Sequence, residues 1–187
     1  LRAMGDLERF LHDEKPMPPL IKCGLAHAQF ETIHPFLDGN GRMGRLLITF
    51  WLCWRGILGL PLLYLSGYFK QRREQYYARL QAVRDEGDWE GWIRFSLEGV
   101  RSVALEATET ARRTRSMREE HREQIGRKIS GTTTGLVLLD HLFQRPYITV
   151  KQVGQVIGRT YPISNALVAA FERLGLLTKT TTRRRNR

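Results

Sequence analysis

Cysteine is scarce in this chain. Only Cys23 and Cys53 occur, without a CxxC spacing and without a secretory leader. That excludes a disulfide-stapled scaffold and makes a reducing compartment, the cytoplasm, the expected location. Both thiols lie in apolar helical patterns and are expected to be buried. An uninterrupted apolar run is also missing. The greasiest stretch, residues 46–65, is broken by Arg55, Gly56, Gly59 and Pro61. It reads as a core helix followed by a turn, so no membrane partner is expected. No internal repeat is present. Acidic residues are outnumbered, with 19 Asp and Glu against 30 Lys and Arg and a formal net charge of +11. The excess suits an anionic partner such as a nucleotide, a nucleic acid or an acidic protein, and equally a solvated basic surface.

What is present is a chain of 187 residues with 42% hydrophobic and 26% charged residues. That is enough for one moderate domain and a small one. It opens at Leu1 inside a helical pattern and ends on a run of Thr and Arg, and reads as a fragment of a longer protein. A helix is expected over residues 20–33. It should end at His34, because the residue before Pro35 is pushed out of the α region. A loop follows over residues 35–41, and a helix opens at Arg42. The spacing of Met43, Leu46, Leu47, Phe50, Trp51 and Trp54 predicts that these residues form its buried face. Further helices are expected over residues 66–85 and from Trp89 past Met117. Residues 129–134 read as a linker or a helix start. Beyond it come helices over 135–143, 150–157 and 162–174, with extended segments at 147–148 and 176–178.

The run HPFLDGNGRMGR, from His34 to Arg45, concentrates the chemistry. Gly39 and Gly41 free the backbone and let a ligand approach. Their amides and the free N–H groups of the following helix form a nest for an anion. Arg42 and Arg45 share one face of the first turn, where two cations oppose the helix dipole. A bound polyphosphate would relieve that conflict. Asp38 adds a hard oxygen ligand of the kind that holds Mg²⁺ together with phosphates. His34, at the mouth of the loop, can take a proton from a hydroxyl. Each part has a bland counterpart: a structural histidine, an Asp-Gly turn, arginines paired with an unseen helix. Their joint spacing favours nucleotide phosphate chemistry.

The same run resembles the signature of the Fic (filamentation induced by cAMP) family, HPFx(D/E)GNGRxxR, and every specified position matches. The similarity extends over about residues 4–124, including Tyr76-Tyr77-Ala78-Arg79-Leu80. The resemblance implies a mainly α fold, a Fic-type helical bundle over residues 1–128, in a bacterial-type protein. It implies transfer of AMP from ATP to a Ser, Thr or Tyr hydroxyl of a target protein. In that setting His34 is the general base and Asp38 holds Mg²⁺. Gly39, Asn40 and Gly41 bind the α- and β-phosphates. Arg42 supports the loop, Arg45 reaches the β- or γ-phosphate, and Phe36 anchors the loop in the core. Tyr77 lines the adenine pocket, or is simply a buried tyrosine.

Two features of the family pattern are not found. The β-hairpin flap would lie before Leu1. The inhibitory pattern (S/T)xxxE(G/N) is approached at Ser116 to Glu120, but His121 follows. Residues 135–187 resemble the winged helix-turn-helix that often follows Fic domains. Residues 162–174 would be its recognition helix, with Ser164 and Asn165 near the start, and the 183–187 arginines add a basic tail. Its partner could be DNA or protein, and a homodimer is a further expectation. The rival functions are a nucleotide-sensing DNA-binding regulator and an AMP-removing phosphodiesterase on the same site.

Overall fold

The computed structural model describes residues 2–61 and 63–180. The chain forms two compact units, Leu1–Thr110 and Ala111–Arg187. Helices account for the regular structure, and no strand occurs among the described residues. The first unit contains α1 (Arg2–His12), α2 (Pro19–Ile33), α3 (Asn40–Trp54), α4 (Leu65–Gln71), α5 (Arg73–Glu86) and the start of α6 (Trp89–Lys128). The second holds the rest of α6, then α7 (Thr132–Gln144), α8 (Val150–Ile157) and α9 (Tyr161–Arg173).

Helix α2 is the centre of the first unit. It is buried on several sides, through Cys23, Gly24, Ala26, His27, Ala28, Phe30 and Glu31. Small residues let neighbours close in: a Cβ on Gly24 would stand 2.9 Å from Ile93 Cδ1. Trp92, fully buried, donates its indole N–H to the Gly24 carbonyl at 2.8 Å. Phe69, Tyr76 and Phe95 surround it, and Phe69 stacks on Tyr76 with ring centroids 4.9 Å apart. A second apolar cluster of Leu7, Ala26 and Phe30 ties α1 to α2.

The expected burial of α3 needs correcting. Ile48, Trp51 and Leu52 form the buried face together with Gly44 and Asn40. Met43, Leu46, Phe50 and Trp54 are exposed. The helix is apolar on more than one side, so periodicity fits two faces. The close approach of α2 at Gly44 selects between them. The helix also starts two residues before Arg42, at Asn40. Cys23 is buried as expected, but Cys53 is only half-buried.

The single helix expected over 66–85 is two. Arg72, at φ −114° and ψ 41°, separates α4 from α5. No glycine or proline marks the break. It allows Tyr68, Phe69 and Tyr76 to reach the same aromatic cluster, with the Arg72 guanidinium folded 4.2 Å over the Tyr68 ring.

In the second unit Ile125 of α6 and Ile129 just after it pack with Leu138, Leu139, Val153, Leu167 and Phe171. Thr149 and Gln152 form a reciprocal capping box at the start of α8. Gly158, at φ 64°, turns the chain from α8 towards α9. The expected extended segments at 147–148 and 176–178 form no strand. A strand needs a ladder partner, and none exists among the described residues. The expected 183–187 basic tail lies outside them. Ser164 is fully buried and donates to the Thr160 carbonyl at 2.9 Å, so it is not available to read a ligand.

Candidate functional site

The loop of residues 34–39 joins α2 to α3. His34 ends α2 in the left-handed conformation, φ 50° and ψ 56°, with its N–H bonded to the Phe30 carbonyl at 3.0 Å. Such a backbone is uncommon outside glycine and marks a constrained position. Arg84 of α5 secures this end. Its Nη2 donates to the Glu31 carbonyl at 2.7 Å, placing a cation where the helix dipole is negative. The His34 side chain remains exposed.

Asn40 fixes the other side of the loop. It is buried, accepts the Phe36 N–H at 2.8 Å and donates to the Phe36 carbonyl at 2.5 Å. The carboxamide is therefore committed to the loop, and what Asn40 can offer an anion is its backbone N–H. The loop is pinned by this polar clasp rather than by the Phe36 ring. That ring is 46% exposed, with the Phe30 ring 6.3 Å away, which corrects its expected role as a core anchor.

Gly39 caps α3 at φ 84°, and no side chain caps the first turn. The first N–H groups of α3 are thus without an intrahelical partner. A Cβ on Gly41 would stand 2.9 Å from Arg45 Nη1, so the glycine lets that guanidinium lie back along the turn. Arg45 Nε donates to Ser66 Oγ at 3.2 Å. Asp38 pairs with Arg42 at 3.3 Å. Both side chains are largely exposed, so the pair adds little stability and can open to a ligand.

Beside the loop lies a cavity of about 430 Å³. Its walls carry four cations, Arg42, Arg45, Lys70 and Arg73, and the aromatic rings of Tyr64, Phe69, Tyr76 and Tyr77. No carboxylate lines it. A second cavity of about 450 Å³ is bounded by His34, Glu31, Tyr77 and Arg84, among others. Tyr77 lines both and is half-exposed, so it is not a core tyrosine; its neighbour Tyr76 is. The structure therefore gathers Arg42, Arg45 and Tyr77 around one cavity and gives His34 and Tyr77 a second. Sequence reasoning missed Ser66, Lys70 and Arg73. They fall outside the motif, and α4 and α5 bring them to it only through the aromatic core.

Asp38 is the only carboxylate in the 34–45 run, and no group of three or more His, Cys, Asp or Glu is gathered for a metal among the described residues. This suits Mg²⁺ held by one carboxylate plus substrate phosphates and waters, rather than by an all-protein cage. No helix among the described residues is long and apolar enough to cross a membrane.

A helical bundle with an uncapped helix start beside a cationic, aromatic-walled cavity has the chemistry that suits an anion. Known proteins resemble parts of the chain. Residues 1–52, which hold the whole loop, match the model of the Fic/DOC family. The protein adenylyltransferase Fic of Drosophila ananassae is 38% identical over 99 residues, covering 49% of this chain and 18% of that protein. Its Drosophila melanogaster counterpart is 37% identical over the same length and coverage. The chain thus spans under a fifth of the length of these curated relatives. The crystal structure of a Fic family protein from Desulfovibrio desulfuricans G20 superposes with a TM-score of 0.55 at 25% identity, covering 92% of this chain and 47% of that one. Residues 1–52 thus carry the likeness to the Fic/DOC family, and these relatives are Fic proteins.

Proposed function

We propose that this chain is the catalytic part of a protein adenylyltransferase, moving AMP from ATP to a Ser, Thr or Tyr hydroxyl of a target protein. The observation that carries this reading is the uncapped first turn of α3, with Arg42 and Arg45 facing a cavity that holds four cations and no carboxylate. A polyphosphate fits that field, and the aromatic walls suit a base. The relatives, named as protein adenylyltransferases, support this reading.

In this reading the triphosphate lies on the N–H groups of residues 39–41 and on Arg45, while Arg42 steadies the loop. His34 takes the proton of the target hydroxyl. The freed oxygen bonds to the α-phosphorus, the bond from that phosphorus to the bridging oxygen of the β-phosphate breaks, and pyrophosphate leaves. Donors fixed at residues 39–41 meet the charge that grows on the phosphate as the bond forms. Asp38 is the residue that would hold Mg²⁺, which neutralises charge on the α- and β-phosphates when bound. Tyr77 is assigned to the nucleotide base, since it lines both cavities.

The metal assignment has a direct test. Titration calorimetry with ATP should show tighter binding with Mg²⁺ than without it. Asp38→Ala should remove most of that difference. Equal affinity in wild type with and without metal would sink the role given to Asp38.

The second unit is assigned to a winged-helix appendage. DNA binding through it has less support than protein contact, because α9 carries no Lys or Arg between Tyr161 and Phe171. If it binds a duplex, phosphates should carry the interaction. A gel-shift series should then weaken steeply between about 50 and 200 mM salt. No shift at low salt on any duplex supports the protein-contact reading. The AMP-removing alternative draws no support from residues 116–121: Ser116 and Glu120 merely pair at 3.2 Å on an exposed helix face.

A further inference from the structure

The two motif arginines are held in different ways. Arg42 is largely exposed, and its charge is already engaged by Asp38 at 3.3 Å. Arg45 is half-buried and forms no ion pair among the described residues, although its charge acts on Glu31. Its Nε donates instead to a neutral group, the Ser66 hydroxyl, at 3.2 Å, which links α3 to α4. Gly41 supplies a second constraint. A Cβ there would stand 2.9 Å from Arg45 Nη1 and 3.7 Å from Cζ, so the guanidinium lies close against the Gly41 backbone. Ser66 is firmly placed, because Leu65, Tyr68 and Phe69 of the same helix are buried in the core. Both Arg45 and Ser66 line the cavity of about 430 Å³.

The simplest account of the Arg45–Ser66 bond is a tie between α3 and α4. The chemistry of the pair points further. A guanidinium carries five N–H donors in a planar fork. Anchoring Nε commits one of them and leaves those of Nη1 and Nη2 for a ligand. A hydroxyl also leaves the positive charge unspent. A carboxylate in its place would compete with phosphate for the guanidinium, and no carboxylate lines this cavity. A free arginine side chain loses rotamer freedom when a ligand fixes it, and one fixed beforehand spares the ligand that loss.

We propose that Ser66 is a positioning residue for Arg45. Its hydroxyl fixes Nε at the cavity wall, so the guanidinium is preset to give its Nη donors to phosphate oxygens. The inference rests on reading the cavity as a phosphate site, and it adds to that site a residue outside the motif. Gly41 serves the same end. It lies within α3, and its missing Cβ leaves the room that the guanidinium occupies.

The test is a double-mutant cycle on the full chain, read by calorimetry with MgATP and with AMP, with melting temperature as a check on folding. Ser66→Ala removes the acceptor and should weaken MgATP binding about 3- to 10-fold, the size of one lost hydrogen bond. Ser66→Thr keeps a hydroxyl and should recover most of that loss. AMP lacks the β- and γ-phosphates assigned to Arg45, so it should bind Ser66→Ala as it binds wild type. In an Arg45→Ala background Ser66→Ala should change MgATP affinity by less than about twofold, because the group it serves is gone. Wild-type MgATP affinity in Ser66→Ala overturns the inference. So do equal losses in both backgrounds, or an equal loss for AMP, because either means a general tie between α3 and α4. In those cases a large loss in Arg45→Ala alone leaves the phosphate reading standing. If Arg45→Ala leaves MgATP affinity unchanged, the phosphate reading fails, and the inference falls with it.

Discussion

Under the proposed reading, replacing His34 with Ala should lower AMP transfer by about two to four orders of magnitude, the usual range for a lost general base, while MgATP affinity should stay close to wild type. The exposed imidazole ends α2 rather than lining the four-cation cavity, so it contributes little to holding polyphosphate. Its backbone, at φ 50°, adds a complication, because alanine is strained there. His34→Asn separates the two effects. Asparagine tolerates the left-handed region but takes up no proton near neutral pH. Both variants should lose turnover, and the Asn variant should keep the wild-type melting temperature. Steady-state rates with a target protein, alongside calorimetry, check this. Wild-type turnover in His34→Asn would remove the base from the mechanism.

The second large effect concerns the core that aligns α2 with α4 and α5. Trp92 is fully buried, and its indole N–H satisfies the Gly24 carbonyl. Its ring packs against His27 and Phe95 at 5.7 and 6.0 Å. Trp92→Ala leaves a cavity and an unpaired carbonyl in the middle of α2. The expected loss is about 3–5 kcal/mol, a large share of the ~5–15 kcal/mol that holds a typical domain together. Urea unfolding should show a lower midpoint at an unchanged slope. A loss below about 1 kcal/mol would mean that α2 is not braced through this residue. Trp92→Phe, which keeps much of the ring but not the donor, should fall between wild type and Ala.

The loop was legible in the sequence because its constraints are local. Glycines that free the backbone, a proline that stops α2, and paired arginines at a helix start all act within a few residues. The end of α2 at His34 follows from Pro35 alone. The α4–α5 break was not legible, since no glycine or proline marks Arg72 and the aromatic cluster alone decides it. Nor was the buried face of α3. Met43, Leu46, Phe50 and Trp54 have the better helical spacing, yet Gly44 sets the contact, and a glycine contributes nothing to a hydrophobic pattern. The aromatic cluster of Phe69, Tyr76 and Trp92 joins residues from three helices, and its members look unremarkable one at a time. Lys70 and Arg73 were overlooked for the same reason.

The central claim is that the loop moves AMP rather than merely sensing nucleotide. The most direct measurement incubates the chain with Mg²⁺, a cell lysate and ATP labelled at either the α- or the γ-phosphate, with His34→Asn as control. The account predicts protein-bound label from α-labelled ATP, none from γ-labelled ATP, and loss of the signal in the variant. Label from the γ-position, or an α-signal that survives in His34→Asn, would contradict it.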